Sequence, residues 1–286
     1  MAPVPTLNII GAGQVGRVLG RLFQDSGAFR VQDVLTRSRE TGAAAVSAIG
    51  AGRALVDMAG LRRADATMLG VPDDQIAPVC AQLALNGMLQ GTLVFHCSGA
   101  RSSAELGSAA SGGALVASVH PIRSFADPAA VLQGFAGTWC GVEGDPAALA
   151  LLEPALMALG ARPVRIDPQA KTVYHAAAVF ASNYLVTVID AALRAYQAAG
   201  VPEAVAREMA RPLATETLAN VLRMGPEAAL TGPIARGDNR TVLRQQAALT
   251  EWDGPSGALY AALAEATRDL AARKHAAKNT PPQEKA

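Results

Sequence analysis

The feature that most constrains this chain is a glycine turn set between a strand-like run and a helical one. Leu7-Asn8-Ile9-Ile10 leads directly into Gly11-Ala12-Gly13-Gln14-Val15-Gly16, and a helical pattern follows through Phe23. In a βα unit Gly11 permits the tight turn, Gly13 lets backbone come close to a pyrophosphate, and Gly16 allows helix and strand to pack tightly. The helix N-terminus adds amide N–H groups that lack intrahelical partners and favour a phosphate. The pattern therefore predicts a dinucleotide site on Gly11, Ala12, Gly13, Gln14, Val15 and Gly16. A tight turn without a ligand is the plain alternative.

From Leu7 to about Ile166 the same alternation continues. Apolar, β-branched runs fall at Leu7 to Ile10, Val31 to Thr36, Ala66 to Val71, Thr92 to His96, Ala114 to Val119, Gly137 to Val142 and Ala161 to Ile166, with helical stretches between them. Runs that are apolar on both faces belong to a mainly parallel sheet covered by helices on each side. This predicts an α/β fold with a Rossmann-type, doubly wound sheet over residues 1–167. Pro72-Asp73-Asp74 marks a helix start, with Asp73 or Asp74 as its cap. Beyond Asp167-Pro168 the strand signals vanish, and helical patterns run through Gln169 to Gly200, Pro202 to Met224, Asn239 to Thr250 and Pro255 to Lys274. An all-helical second domain is expected over 168–275 and a flexible tail over 276–286.

Composition removes several function classes. A chain of 286 residues, 50% hydrophobic and 17% charged, has material for about two packed domains and is too apolar for general disorder. With 25 Lys and Arg against 24 Asp and Glu, the net charge is +1, and no basic stripe offers itself to nucleic acid. Cys80, Cys97 and Cys140 form no CxxC pair, so neither a disulfide framework nor a metal site is indicated. Met1 to Asn8 carries no basic segment followed by an apolar core, and a cytoplasmic location is expected. The long apolar stretch Ala176 to Tyr196 contains Ser182, Asn183, Asp190 and Arg194, so it is expected to be a buried soluble helix, not a membrane span.

Cofactor choice is read at the tip of the second strand, where an acidic residue would bind the ribose hydroxyls of NAD. Here the residues are Thr36-Arg37-Ser38-Arg39, two guanidinium groups and two hydroxyls that suit a 2′-phosphate and favour NADP over NAD. Asp33 argues for NAD, but it falls inside the strand. Three of the four histidines, His96, His120 and His175, stand at strand ends or in an unusual helix. His96 and His120 close two parallel strands, the edge where such sheets bind ligands, and an imidazole there can exchange a proton while hydride moves. His120 is the expected acid/base group. Ser98 and Gly99 form a loop able to hold a substrate oxygen. In the helical region Lys171, His175 and Ser182 share one helical face, with Asn183 on its shoulder, as expected substrate-orienting groups. Arg236 is placed to grip a carboxylate, and Asp238 to cap the helix that follows. Core packing and helix capping account for the same residues in the plain reading.

Taken together, Gly11 to Gly16, Gly70-Val71-Pro72-Asp73-Asp74, His96-Cys97-Ser98-Gly99-Ala100, His120-Pro121 with Ser124-Phe125, Tyr174-His175-Ala176 through Asn183, and Thr231-Gly232-Pro233 with Arg236-Gly237-Asp238 span nearly the whole chain. In them the sequence resembles a bacterial oxidoreductase family that joins a Rossmann-like NADP-binding domain to a helical domain of unknown function. It is more distantly similar to pyrroline-carboxylate reductase, ketopantoate reductase, prephenate dehydrogenase, deazaflavin-dependent NADP oxidoreductase and the β-hydroxyacid dehydrogenases. The resemblance implies that Val71, Pro72 and Ser98 line the cofactor. His120-Pro121 is similar to the histidine-proline step of prephenate dehydrogenases, in which the histidine contacts the reacting hydroxyl. The β-hydroxyacid dehydrogenases carry a Lys and an Asn four residues apart, whereas Lys171 here is followed by His175.

The expectation is an NADP-dependent oxidoreductase that moves a hydride to or from a small C–O or C–N substrate. His120, Lys171, His175 and Asn183 form its catalytic group, and His96, Ser98, Gly99 and Arg236 hold the substrate. A homodimer through the helical domain is expected from the apolar length of Ala176 to Ala198. The alternative is a non-catalytic NADP-binding dimer that senses redox state or binds a partner protein.

Overall fold

The apolar runs form one eight-stranded sheet. Its strands are β1 (Thr6–Ile10), β2 (Arg30–Leu35), β3 (Arg53–Leu55), β4 (Ala66–Leu69), β5 (Leu93–His96), β6 (Leu115–Pro121), β7 (Trp139–Gly144) and β8 (Arg162–Arg165). In this computed structural model, which describes residues 3–279, the spatial order is β3-β2-β1-β4-β5-β6-β7-β8. All pairs are parallel except β6 with β7. The order reverses between β1 and β4, the position where a doubly wound sheet opens a crevice at its carboxyl edge.

The helices of this first unit are α1 (Gln14–Ser26), α2 (Arg39–Ile49), α3 (Ile76–Ala84), α4 (Gly107–Ser111), α5 (Pro128–Gln133), α6 (Pro146–Ala158) and α7 (Lys171–Ala181). Neighbouring strand residues point to opposite faces, so Met68 and Phe95 join one core while Leu69 and Val94 join another. The first core packs α1, α2, α5 and α6 on the sheet through Val18, Phe23, Ile49, Val131, Leu152 and Leu156. The second packs α3 and α4 through Ile76, Cys80, Leu83 and Ala109. Phe23 meets Phe29 and Phe95 edge-on, at 5.2 and 6.3 Å between centroids.

The strand β3 was not expected, because three residues carry no periodicity. It is held by charge. Asp33, fully buried on β2, accepts from Arg53 at 3.0 Å and from Arg62 at 2.7 Å, and also takes the Arg62 amide. Burial alone would raise the Asp33 pKa; the hydrogen bonds from Arg62 and Arg53 outweigh it and hold the carboxyl below its ordinary value. The capping expected of Asp73 or Asp74 is also corrected: the turn Asp73–Gln75 begins at Pro72 with no side-chain cap.

The two compact units meet between Ser182 and Asn183, not at residue 167 as expected. The reason is α7, whose Lys171 and Tyr174 side chains bond to sheet residues and tie that helix to the first unit. The helix expected over Gln169 to Gly200 is broken at Ser182, which leaves helical geometry at φ −126, ψ −69. The second unit consists of α8 (Asn183–Ala198), α9 (Glu203–Met224), α10 (Pro226–Ala229), α11 (Gly232–Ala235), α12 (Asn239–Trp252) and α13 (Gly254–Asn279). Within it α8 packs on α9, and α13 packs on α10, α11 and α12. As expected, Asp238 caps α12 by accepting the Thr241 amide at 3.0 Å. Helix α13 extends into the region expected as a tail, and residues 280–286 lie outside those described.

The expectation of a buried helix at Ala176 to Tyr196 fails. By length and composition Pro168–Ala198 could cross a membrane, yet none of its apolar window is buried within this chain. Phe180 and Val186 are each 69% exposed, and Leu222 on α9 is 79% exposed.

The Asp33 cluster yields a stability prediction. Replacing Asp33 by Ala removes charge-assisted bonds to Arg53 and Arg62, worth about 1.5–3 kcal/mol; the guanidiniums are half-exposed and can turn to water, which limits the cost. Urea unfolding of Asp33→Ala should show a loss in that range with circular dichroism otherwise unchanged.

Candidate active site

The glycine turn sits at the carboxyl edge between β1 and β4. Gly11 adopts φ +83, and a Cβ there would come within 2.6 Å of Val71 Cγ1 and 2.9 Å of the Gly70 backbone. Only glycine fits that close approach. Gly13 differs. It caps α1 with no side-chain bond to the first-turn amides, it is exposed, and a Cβ built on it meets nothing within 4 Å. Gly11 is thus required by the protein's own packing, whereas Gly13 faces open space at a helix N-terminus, the fit that a pyrophosphate needs. Gln14 is exposed, Ala12 and Gly16 are buried, and Val15 is half-buried against the first core. Val71 lies against Gly11, and Pro72 is exposed beside it.

At the tip of β2 the hydroxyls have structural duties. Thr36 Oγ1 donates to the Ser38 carbonyl at 2.9 Å, and Ser38 Oγ accepts the Thr41 amide at 3.2 Å as the cap of α2. Arg37 and Arg39 are exposed and form no ion pair among the described residues. Asp33, the residue that argued for NAD, is fully buried and engaged by Arg53 and Arg62.

The remaining expected residues divide sharply at the ends of β5 and β6. His96 is fully buried; its Nδ1 accepts the Ser98 amide at 3.2 Å and its Nε2 lies 3.1 Å from the Ser102 carbonyl. Both nitrogens are used, so His96 holds the loop instead of a substrate. Ser98 Oγ accepts the amides of Ala100 and Arg101 at 3.1 and 2.9 Å, which makes it a turn-forming residue. Lys171 is also displaced from its expected role. Its Nζ is buried, donates to Glu143 Oε1 at 3.0 Å and contacts Ser118 Oγ. Glu143 accepts in turn from the Ser103 amide at 2.9 Å and the Ser103 hydroxyl at 2.7 Å. Burial lowers the Lys171 pKa against the opposing pull of Glu143.

Above this pair lies a cluster of rings. His120 Nδ1 is 2.8 Å from Tyr174 Oη, and the His120 ring meets Tyr174 and His175 edge-on at 5.6 and 5.4 Å. A Cβ on Gly99 would collide with His175 Nδ1 and lie 2.8 Å from His120 Nε2. Gly99 therefore serves to let both imidazoles close on its α-carbon. A Cβ on Gly141, the partner of His120 across the β6–β7 ladder, would likewise collide with Tyr174 Oη. Among the described residues His175 Nδ1 is a buried polar atom with no partner. Burial, then the His175 and Lys171 neighbours, lower the His120 pKa to about 4. Burial also lowers His96 to about 4 and raises Tyr174 to about 12. Asn183 and Arg236 belong to the second unit.

Sequence reasoning gave no role to Tyr174, Glu143 or Ser118. Glu143 was detectable as a charge within an apolar strand, which demands a buried counter-charge. Tyr174 was detectable at three residues from Lys171, on the same helical face as that lysine.

Two family models match the chain: a Rossmann-like domain over residues 3–121 and a domain of unknown function (DUF2520) over residues 138–267. The chain therefore joins a Rossmann-like domain to a DUF2520 domain, the combination its sequence resembles. A comparison with the curated proteins returns no match. Among solved structures, protein TM1727 from Thermotoga maritima is 26% identical, with TM-score 0.72, covering 94% of this chain and 99% of that one. The imine reductase from Myxococcus stipitatus in complex with NADP+ is 19% identical, with TM-score 0.70 and coverages of 93% and 95%. A pyrroline-5-carboxylate reductase from Coxiella burnetii is 15% identical, with TM-score 0.57 and coverages of 95% and 98%. At such identities the last two share the fold.

Two predictions test these assignments. Lys171→Ala strands Glu143 as a buried charge and should cost about 3–5 kcal/mol, while Lys171→Met combined with Glu143→Gln should recover much of that in urea unfolding. The second concerns acid. His96 and His120 fall from 6.5 to about 4 on folding, so between those values the unfolded chain binds more protons. Stability is full above about 6.5 and is lost as pH falls toward 4. Urea midpoints across that window should decline, and less steeply in His120→Gln.

Proposed function

We propose that this chain is an NADP-dependent oxidoreductase acting on a small C=O or C=N compound or its reduced form. The observation that carries this reading is the pairing, along one sheet edge, of an open glycine cap at Gly13 with a ring cluster at His120. Backbone at Gly11 to Gly16 would hold the pyrophosphate, and the unpaired Arg37 and Arg39 would hold a 2′-phosphate. When bound, the nicotinamide supplies or accepts hydride. His120 then exchanges the accompanying proton with the substrate, His175 orients the substrate through its unpartnered nitrogen, and Lys171 positions the loop and strands behind them. The NADP+ complex of the similar Myxococcus imine reductase supports the choice of cofactor class. The exposed apolar residues of α8 and α9, Val186 and Leu222 among them, support a homodimer through the helical unit, readable as a doubled mass in light scattering.

Calorimetric titration with NADPH and NADH tests the reading. NADPH should bind at least about tenfold more tightly than NADH, a gap of about 1.4 kcal/mol, and Arg37→Ala with Arg39→Ala should erase it. Because a Cβ at Gly13 meets open space, Gly13→Ala should melt like the parent protein while binding NADPH at least about tenfold more weakly. Absence of binding by either nucleotide, or undiminished binding by Gly13→Ala, overturns the proposal.

A further inference from the structure

The proton state of His120 can be deduced from the groups around it. Tyr174 Oη stands 2.8 Å from His120 Nδ1, close over the backbone of Gly141. If the phenol accepted from His120, its own O–H would be left without an acceptor in a partly buried position, since among the described residues His120 Nδ1 is its one side-chain partner. Donation from Tyr174 to Nδ1 satisfies both atoms of that contact. A neutral imidazole that accepts at Nδ1 must carry its proton on Nε2. That nitrogen has no hydrogen-bond partner among the described residues and is not among the buried unpartnered atoms.

We propose that Tyr174 is a positioning residue that locks His120 in its Nε2–H form, so that the site presents a proton donor and is poised for reduction of a neutral carbonyl or imine. This deepens the oxidoreductase reading and rests on it for the redox step alone. A bound reduced nicotinamide would supply hydride to the substrate carbon, and the C=O or C=N π pair would then pass to the heteroatom. The heteroatom takes the Nε2 proton of His120, Nδ1 takes the phenolic proton of Tyr174, and the resulting phenolate regains a proton from water. His120 ends as the neutral Nδ1–H ring, so no imidazolate is left behind.

The surroundings fit this arrangement. The groups that face His120 are Tyr174, His175 and Lys171 on α7 and, at longer range, Asp73 in the turn after β4. Glu143, the buried carboxylate below, is already engaged by Lys171 and Ser103. A neutral ring backed by a neutral phenol therefore stays the donor at neutral pH, with burial holding His120 down to about 4 and Tyr174 up to about 12.

Nitrogen-15 NMR of the full-length protein, labelled in histidine, tests the proposal without turnover. His120→Gln identifies the resonance by its loss. At pH near 7 the His120 signal should be pyrrole-type at Nε2 and pyridine-type at Nδ1, and Tyr174→Phe should convert it to an averaged pattern. An Nδ1–H or averaged pattern in the parent protein overturns the proposal, as does an unchanged pattern in Tyr174→Phe. Should that variant not fold, the parent spectrum alone decides. Failure of NADPH to bind in the titration above would remove the redox reading and leave this proton assignment standing, so the two failures are told apart.

Discussion

The arrangement at this sheet edge depends on one buried ion pair. Lys171 at the start of α7 and Glu143 on β7 are both almost wholly removed from water, and each would be costly to bury without the other. Their pairing has a geometric consequence larger than its net energy. It sets the rotation of α7 over the sheet, and the next turn of the helix then delivers Tyr174 and His175 to the ends of β5 and β6. The same pair reaches into the loop after β5. Glu143 grips Ser103 while Lys171 contacts Ser118, whose hydroxyl donates to the Ser98 carbonyl at 3.3 Å. A single charge pair thus fixes a helix, two strands and the loop that carries Gly99.

Glycine performs two different tasks around this frame. At Gly11, Gly99 and Gly141 a side chain is forbidden by neighbours inside the protein: Val71, the two imidazoles and the Tyr174 phenol. At Gly13 nothing in the protein forbids it. Glycine is an accepted helix cap in its own right, and the open space around this one leaves room for a group that approaches from outside. This contrast separates the glycines that the protein's own packing requires from the one that it does not.

Much of the fold was legible because its signals are local. Apolar runs at βαβ spacing, the glycine turn and the histidines at strand ends all follow from short stretches of sequence. The strand β3 was not legible, since its three residues are held by Asp33 reaching Arg53 and Arg62 from elsewhere in the chain. The candidate site was half legible for the same reason. Position identified His96 and His120 as residues at the sheet edge and Lys171 and His175 as residues of one helical face, but only partners decide what each does. His96 has both nitrogens engaged, Lys171 is consumed by Glu143, and Tyr174 gains a role through Gly141, a residue with no side chain to suggest it. The apolar face of α8 was legible as apolar and illegible as to burial, because none of that apolar window is buried among the described residues.

The spacing on α7 finally explains why three such different side chains occupy one helix face. Residues at i, i+3 and i+4 project in nearly the same direction, so whatever anchors the first also aims the other two. An ammonium at 171 can be anchored deep, against Glu143, because its stem is long and its charge is matched. A phenol at 174 is shorter and rigid; it reaches His120 only because Gly141 leaves room beneath its oxygen. An imidazole at 175 then meets its counterpart edge-on and keeps Nδ1 unpartnered. The charge stays below, balanced and dry, while His120 and Tyr174 above it are neutral at physiological pH. Such layering lets a protein exchange a proton at the surface of the cluster without disturbing the ion pair that holds the cluster in place.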